Sequence, residues 1–240
     1  MSSEYIPERA LMIYAHPDDI EFGVAGTAAK WAKAGSKVHY IVITDGNIGS
    51  HDPDMTSEKL AQIRRAEQTA AAEKVGATVS YLGYPDGMLQ PTLELRRDLV
   101  REIRRHKANA VVAGDPRSIF PRDTYINHPD HRAAALAAVE ACFPAPNSPL
   151  VFPELLEEGF EPCDVNYVYV SHPVSGANVY VDISEVIDLK IEALKLHVSQ
   201  MKGWDPTERI KGWSAEIGKK VGFEHAEVFF RVMLKDPNAD

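Results

Sequence analysis

Short apolar runs alternate with longer stretches of helical periodicity through the first 140 or so residues, and this rhythm restricts the fold more than any other feature. The runs "RALMIYA" (9–15), "KVHYIVIT" (37–44), "TVSYL" (78–82) and "AVVAG" (110–114) are too short for buried helices and are bounded by turn residues, so they predict strands. Between them lie helical stretches: 22–35, with Gly35 as a C-terminal cap; Ser57–Val75, stopped by Gly76; Leu93–His106; and a helix starting near Asp130. Strand and helix in strict alternation predict an α/β fold, a mostly parallel sheet with helices on both faces.

After Ala141 the rhythm changes. Six prolines fall between Pro144 and Pro173, and "VNYVYV" (165–170) and "NVYVDI" (178–183) predict a small C-terminal β elaboration before a long helix near 184–202. The Pro-rich stretch is too apolar for a plain linker, so residues 1–240 are expected to form one domain.

Composition narrows the function. The net charge of −9, without blocks of one sign, argues against nucleic-acid or anionic-membrane partners, which want clustered Lys and Arg, and favours a small-molecule substrate. No run approaches the roughly 18 apolar residues of a membrane span. The opening "MSSEYIPERA" lacks a signal-peptide pattern, and Cys142 and Cys163 form no CxxC pair, so a cytoplasmic location is expected.

Against this background "AHPDDIEFG" (15–23) stands out, because His-Pro-Asp recurs in "NHPDHR" (127–132). Both copies follow a predicted strand, at the carboxyl edge where parallel sheets bind ligands. Proline suits the first turn of a helix. If each Pro starts a helix, His16 and Asp19 share one face of its first turn, as do His128 and His131. Four candidate ligands (His16, Asp19, His128, His131) and two carboxylates (Asp18, Asp130) are enough for a catalytic zinc site, with three protein ligands, an open position, a base and supporting groups. A single His-Pro-Asp is an ordinary helix start; two at equivalent positions point to a shared site.

The pair of motifs resembles the LmbE-like, or PIG-L, family of zinc-dependent de-N-acetylases. "IRRAEQTAAAEKVGA" (63–77), "YLGYPDG" (81–87), "LKIEALKLHVSQ" (189–200) and "AEVFF" (226–230) are similar to family segments in the same order. The resemblance implies a Rossmann-like three-layer α/β sandwich and removal of an N-acetyl group from an N-acetylglucosamine-type derivative. It implies His16, Asp19 and His131 as ligands of Zn2+, or another divalent ion such as Fe2+, and Asp18 as general base. His128 would then be a polar partner of the reacting carbonyl, oriented by Asp130. Arg64, in "RRAE", would face the sugar, and Tyr125 would be a further substrate contact, although it lies three residues before His128 where some relatives place a tyrosine two before. A homo-oligomer, trimer or hexamer, is also implied.

Two other function classes fit less well. A dinucleotide-binding dehydrogenase would need G-x-G-x-x-G where His-Pro-Asp-Asp stands. A non-catalytic metal-binding module has no need of Asp18 beside the ligands. Within the enzyme class, cleavage of a larger amino-sugar thiol S-conjugate would use the same ligands and different pocket loops. Gly46 and Gly49 read either as a close approach to ligand or as a plain turn. His39 reads as structural, His197 as a locally bonded helix residue, and His51 and His172 as unconnected with the site.

Overall fold

In a computed structural model, which describes residues 5–237, the predicted alternation folds as a layered α/β structure. β1 (Arg9–Tyr14) leads into α1 (Asp19–Gly23) and α2 (Ala25–Lys33); β2 (Lys37–Thr44) into α3 (Ser57–Lys74); and β3 (Thr78–Tyr84) into α4 (Leu93–His106). β4 (Ala110–Ala113) is followed by α5 (Pro129–Ala141), the short α6 (Glu154–Glu157), β5 (Tyr167–Ser171) and β6 (Val179–Asp182). The chain closes with α7 (Ile187–Lys195), α8 (Val198–Met201), α9 (Thr207–Gly218) and β7 (Ala226–Met233).

The strands form one sheet in the order β3-β2-β1-β4-β5-β7-β6. β1 to β5 run parallel, and β7 is antiparallel to both β5 and β6. The side-chain period of two splits each central strand between two cores. Met12, Tyr40 and Val112 face one layer with Trp31, Ile191 and Phe229, under α2, α3 and α7. Leu11, Ile41 and Val111 face the other with Leu99 and Ala137, under α4 and α5.

Four departures from the predicted elements have physical causes. The helix expected at 22–35 is two, because Val24 leaves helical geometry at φ −134°. The long helix expected at 184–202 breaks before α8, where His197 adopts φ −80° and ψ 58°. The segment 165–170 is displaced slightly and joins the main sheet as its fifth parallel strand, so only β6 and β7 add the antiparallel edge. α9 was unexpected, as was the strand character of "AEVFF": β7 inserts between β5 and β6.

β7 also reaches across the molecule. Val24 supplies no side-chain cap for α2. Instead the buried Glu227 carboxylate accepts from the backbone N–H groups of Gly26 (3.0 Å) and Thr27 (2.8 Å), and Lys190 Nζ donates to it at 2.6 Å and to the Gly23 carbonyl at 3.0 Å. Position 26 must be glycine for this approach, since a Cβ there would lie 2.8 Å from a Glu227 oxygen.

Candidate metal centre and catalytic site

Both His-Pro-Asp turns sit at the carboxyl edge of the sheet, after β1 and before α5, yet they fold differently. In the second, Pro129 occupies the first helical turn and His128 is the N-cap, its Nδ1 accepting from the Asp130 N–H at 3.2 Å. In the first, Pro17 stays outside the helix and Asp18 is the N-cap, at φ 95°. A left-handed non-glycine residue costs about 1–3 kcal/mol and persists only where its surroundings enforce it. Here they do: the Asp18 N–H donates to Gln68 Oε1 (2.9 Å), Gln68 Nε2 donates to Glu21 (3.0 Å), and Glu21 meets Nε2 of the fully buried His197 at 3.1 Å.

The two turns converge. His131 Nε2 lies 3.1 Å from Asp19 Oδ1 and 3.2 Å from His16 Nδ1, and His16 Nδ1 lies 3.5 Å from Asp19 Oδ2. These separations are close to the roughly 3.3 Å between ligands of a tetrahedral ion with bonds of about 2.0–2.1 Å, with the two imidazoles meeting different oxygens of Asp19; one donor atom each from His16, His128 and His131 also lies within 4.8 Å of the others. Asn127 Oδ1 holds the other nitrogen of His131, at 3.1 Å. His128 stands edge-on to His16, ring centroids 4.7 Å apart, so both second-turn histidines reach the cluster.

Behind His16 lie two buried carboxylates. Its Nε2 is 2.9 Å from Asp86 Oδ1 and 3.4 Å from Asp130 Oδ2, although neither oxygen is aligned as a hydrogen-bond acceptor. Asp86 also accepts from the Ile48 N–H (3.2 Å), and Asp130 from those of Gly87 (2.7 Å) and Leu89 (3.2 Å). Asp130 meets the His128 ring through its backbone N–H, while its carboxylate faces His16 and the loop after β3. Asp86 was not singled out in the sequence, although "YLGYPDG" carried it to the same sheet edge; Gln68, Glu21 and Asn127 gave no local signal.

The expectation for Arg64 is corrected. It is only 4% exposed, and its guanidinium points inward: Nη1 donates to the Gly46 carbonyl (2.9 Å), Nη2 donates to the Pro17 carbonyl, and Nη2 lies 3.4 Å from Asp18 Oδ2. It braces the first turn where the resemblance had it facing the sugar. Glu67 is taken up by the backbone and hydroxyl of Ser199, both at 2.7 Å, and leaves Arg64 free for this role. Gly46 and Gly49 make room for the guanidinium, since a Cβ on Gly49 would sit 2.7 Å from Nη1 and one on Gly46 would overlap it. Tyr125 is 52% exposed in the loop before α5, with a backbone hydrogen bond to Arg122 (3.4 Å) and none from its hydroxyl to the cluster. Among the described residues, His51, His172 and His197 belong to no group able to share an ion.

The imidazoles and carboxylates of the cluster shift one another strongly. Burial opposes charging of His16, but the surrounding carboxylates of Asp130, Asp19 and Asp86 outweigh it and push its pKa up to about 12. Burial likewise disfavours ionised Asp19, yet His131 and His16 hold it well below the ordinary carboxylate value. His131 is raised, with Asp19 outweighing burial. Asp18 is pushed up to about 6 by burial, against the pull of Arg64. His128 is lowered by burial and by the like charges of His16 and His131. Its Nδ1 accepts the Asp130 N–H, so a neutral ring carries its proton on Nε2, free to donate.

The chain matches the family described as PIG-L: GlcNAc-PI de-N-acetylase over residues 11–142. It belongs to that family. Diacetylchitobiose deacetylase of Thermococcus kodakarensis is 32% identical over 228 residues, covering 92% of this chain and 81% of the relative. The solved structure of N,N'-diacetylchitobiose deacetylase from Pyrococcus horikoshii, in complex with an inhibitor, superposes with a TM-score of 0.85 at 29% identity, over 95% of this chain and 84% of that one. 4-Carboxy-2-hydroxymuconate hydratase from Pseudomonas putida KT2440 shares the fold, with a TM-score of 0.78 at 23% identity over 97% of this chain and 99% of its own. This PIG-L fold therefore does not dictate the reaction; the residues at the sheet edge do. Among the described residues, no helix is long and apolar enough to cross a membrane.

Proposed function

We propose that this PIG-L chain is a zinc-dependent hydrolase that removes the acetyl group from an N-acetylglucosamine-type amino sugar. The reading rests on one observation: the imidazoles of His16 and His131 and the two carboxylate oxygens of Asp19 come within 3.1–3.5 Å of one another, next in sequence to Asp18, whose carboxylate is held by Arg64. Zinc held by His16, Asp19 and His131 would supply a Lewis acid for the amide carbonyl and lower the pKa of water toward about 7. Asp18 accepts the proton of the attacking water and returns it to the departing amine. Arg64 and Gln68 keep Asp18 turned toward the ligands, and Asp86 and Asp130 fix the His16 ring from behind. His128 donates its Nε2 proton to the oxyanion that develops on the substrate carbonyl.

The relatives supply the substrate class, a small amino sugar. Two free cysteines agree with a reducing, cytoplasmic setting, and the chain is taken to act as a homo-oligomer, which sedimentation checks. The test of function is elemental analysis of metal-depleted protein reloaded with zinc, wild type against His131→Ala, together with amine release from N,N'-diacetylchitobiose and N-acetylglucosamine. Bound zinc in the wild type with amine release, both lost in the variant, is the expected result. Zinc-loaded wild type that releases no amine from any N-acetyl sugar overturns the deacetylase reading.

A further inference from the structure

At the opposite end of the strands lies a second group of metal-ligating side chains. A cleft of about 410 Å3 opens there, lined by Arg9, Lys37, His39, Thr78 and His106 among others. His39 projects from β2, and Glu102 and His106 stand four residues apart in the last turns of α4, on one face. Donor atoms of the three all lie within 4.8 Å of one another. The two imidazoles stack, with centroids 4.0 Å apart and planes at 23°.

The polar accounting of this cluster does not close. Glu102, only 6% exposed, has its Oε2 buried without a hydrogen-bond partner, and so has Nε2 of His106. The two atoms face each other at 3.5 Å, unaligned for a hydrogen bond. That separation is close to the ligand edge of an ion with bonds of about 2.0–2.2 Å. His39 is held by hydroxyls at both ring nitrogens, Nδ1 at 2.6 Å from Thr78 Oγ1 and Nε2 at 2.9 Å from Ser80 Oγ. Releasing one hydroxyl leaves the other to fix the ring, the usual support of a ligating histidine.

We propose that His39, Glu102 and His106 form a second divalent-metal site, selective for zinc-like ions, at the amino-terminal end of the sheet. Two imidazoles and one carboxylate are a borderline N/O donor set suited to zinc, cobalt or nickel and poor for calcium or magnesium. Arg9 and Lys37 line the cleft, and Arg105 Nε approaches the other oxygen of Glu102 at 3.3 Å, so the site is weaker than the one at the His-Pro-Asp turns. The ion ties α4 to β2 and, through the hydroxyl left on His39, to β3. Its work is structural and independent of the deacetylase reading.

The test is equilibrium dialysis of metal-free full-length protein against zinc, with thermal melting. Wild type is expected to bind two equivalents, one of them weaker; His106→Asn one; His131→Ala one; and His106→Asn/His131→Ala none. Zinc is expected to raise the Tm of His131→Ala and leave that of the double variant unchanged. Glu102→Gln, which keeps shape and removes the charge, should match His106→Asn if the site is real. A single equivalent in wild type that is lost in His131→Ala and kept in His106→Asn overturns the proposal. So does a second equivalent that survives both His106→Asn and Glu102→Gln, which would mean surface adsorption.

Discussion

The two His-Pro-Asp turns spell the same three residues, and the chain folds them in two ways. In the turn before α5, proline sits in the first helical turn, histidine is the cap, and the backbone is relaxed. In the turn after β1 the helix starts two residues later, and Asp18 is held in the left-handed region by Gln68 and Arg64. The relaxed turn offers two imidazoles on one helix face. The strained one swings an extra carboxylate in beside the ligands, and its cost is met by a buried network. A motif fixes which groups are available; the neighbours decide which of them can react.

Five variants sharpen or break this contrast. The largest effect is expected at the strained turn: Asp18→Asn, which tolerates the same backbone, should keep zinc and lose about 10²–10⁴-fold in turnover if the carboxylate is the base. Full activity in that variant would make the strain purposeless. His128→Ala, in the relaxed turn, should keep zinc and lose about 10²–10³-fold in kcat, as for one oxyanion donor. An empty site by elemental analysis would instead make His128 a ligand and reverse the division of labour within that turn. Asp86→Asn reaches the centre only through His16, and should weaken zinc affinity by about 10–100-fold in competition with a chelator.

The last two concern the relaxed turn and its approach. Pro129→Ala should lower stability by about 0.4–1 kcal/mol through the unfolded chain, with kcat unchanged. A large kcat loss would mean that this turn is also under strain. Asp115, in the loop leading to it, is pushed up by burial, but hydrogen bonds from Arg117 and from the Val174 N–H outweigh this and hold it below the ordinary carboxylate value. A folded pKa below the unfolded one gives stability that is complete above the carboxylate range and is lost as pH falls through the folded value. The Tm difference between wild type and Asp115→Asn should therefore be widest near neutrality and shrink in acid below about pH 4. A difference that stays constant with pH would locate its effect elsewhere.

How much of this was legible depended on the range of the interactions. Strand periodicity is local, so β1 to β4 and the helices between them could be read from composition and spacing. β7 could not, because its place between β5 and β6 is decided by partners far away in sequence. The same holds within the site. His16, Asp18, Asp19, His128 and His131 announce themselves by spacing, whereas Arg64 shows its charge but hides its direction: only the folded loop around Gly46 and Gly49 turns it inward. Asp130 meets His128 through its backbone, but the groups that hold its carboxylate, the N–H of Gly87 and of Leu89, come from another loop and leave no local signal.

The Glu227 contact with α2 has a consequence for the order of assembly. The second helix after the first His-Pro-Asp turn, α2, takes its cap from a strand about 200 residues later, and among the described residues that strand is also the partner of β6 in the sheet. During synthesis from the N-terminus, the first turn leaves the ribosome long before Glu227 exists. The helix α2 waits with open amide groups until β7 has emerged. The chemistry is encoded early and becomes available late, so a chain cut short before β7 would carry every proposed catalytic residue and lack the clamp that seats the first of them.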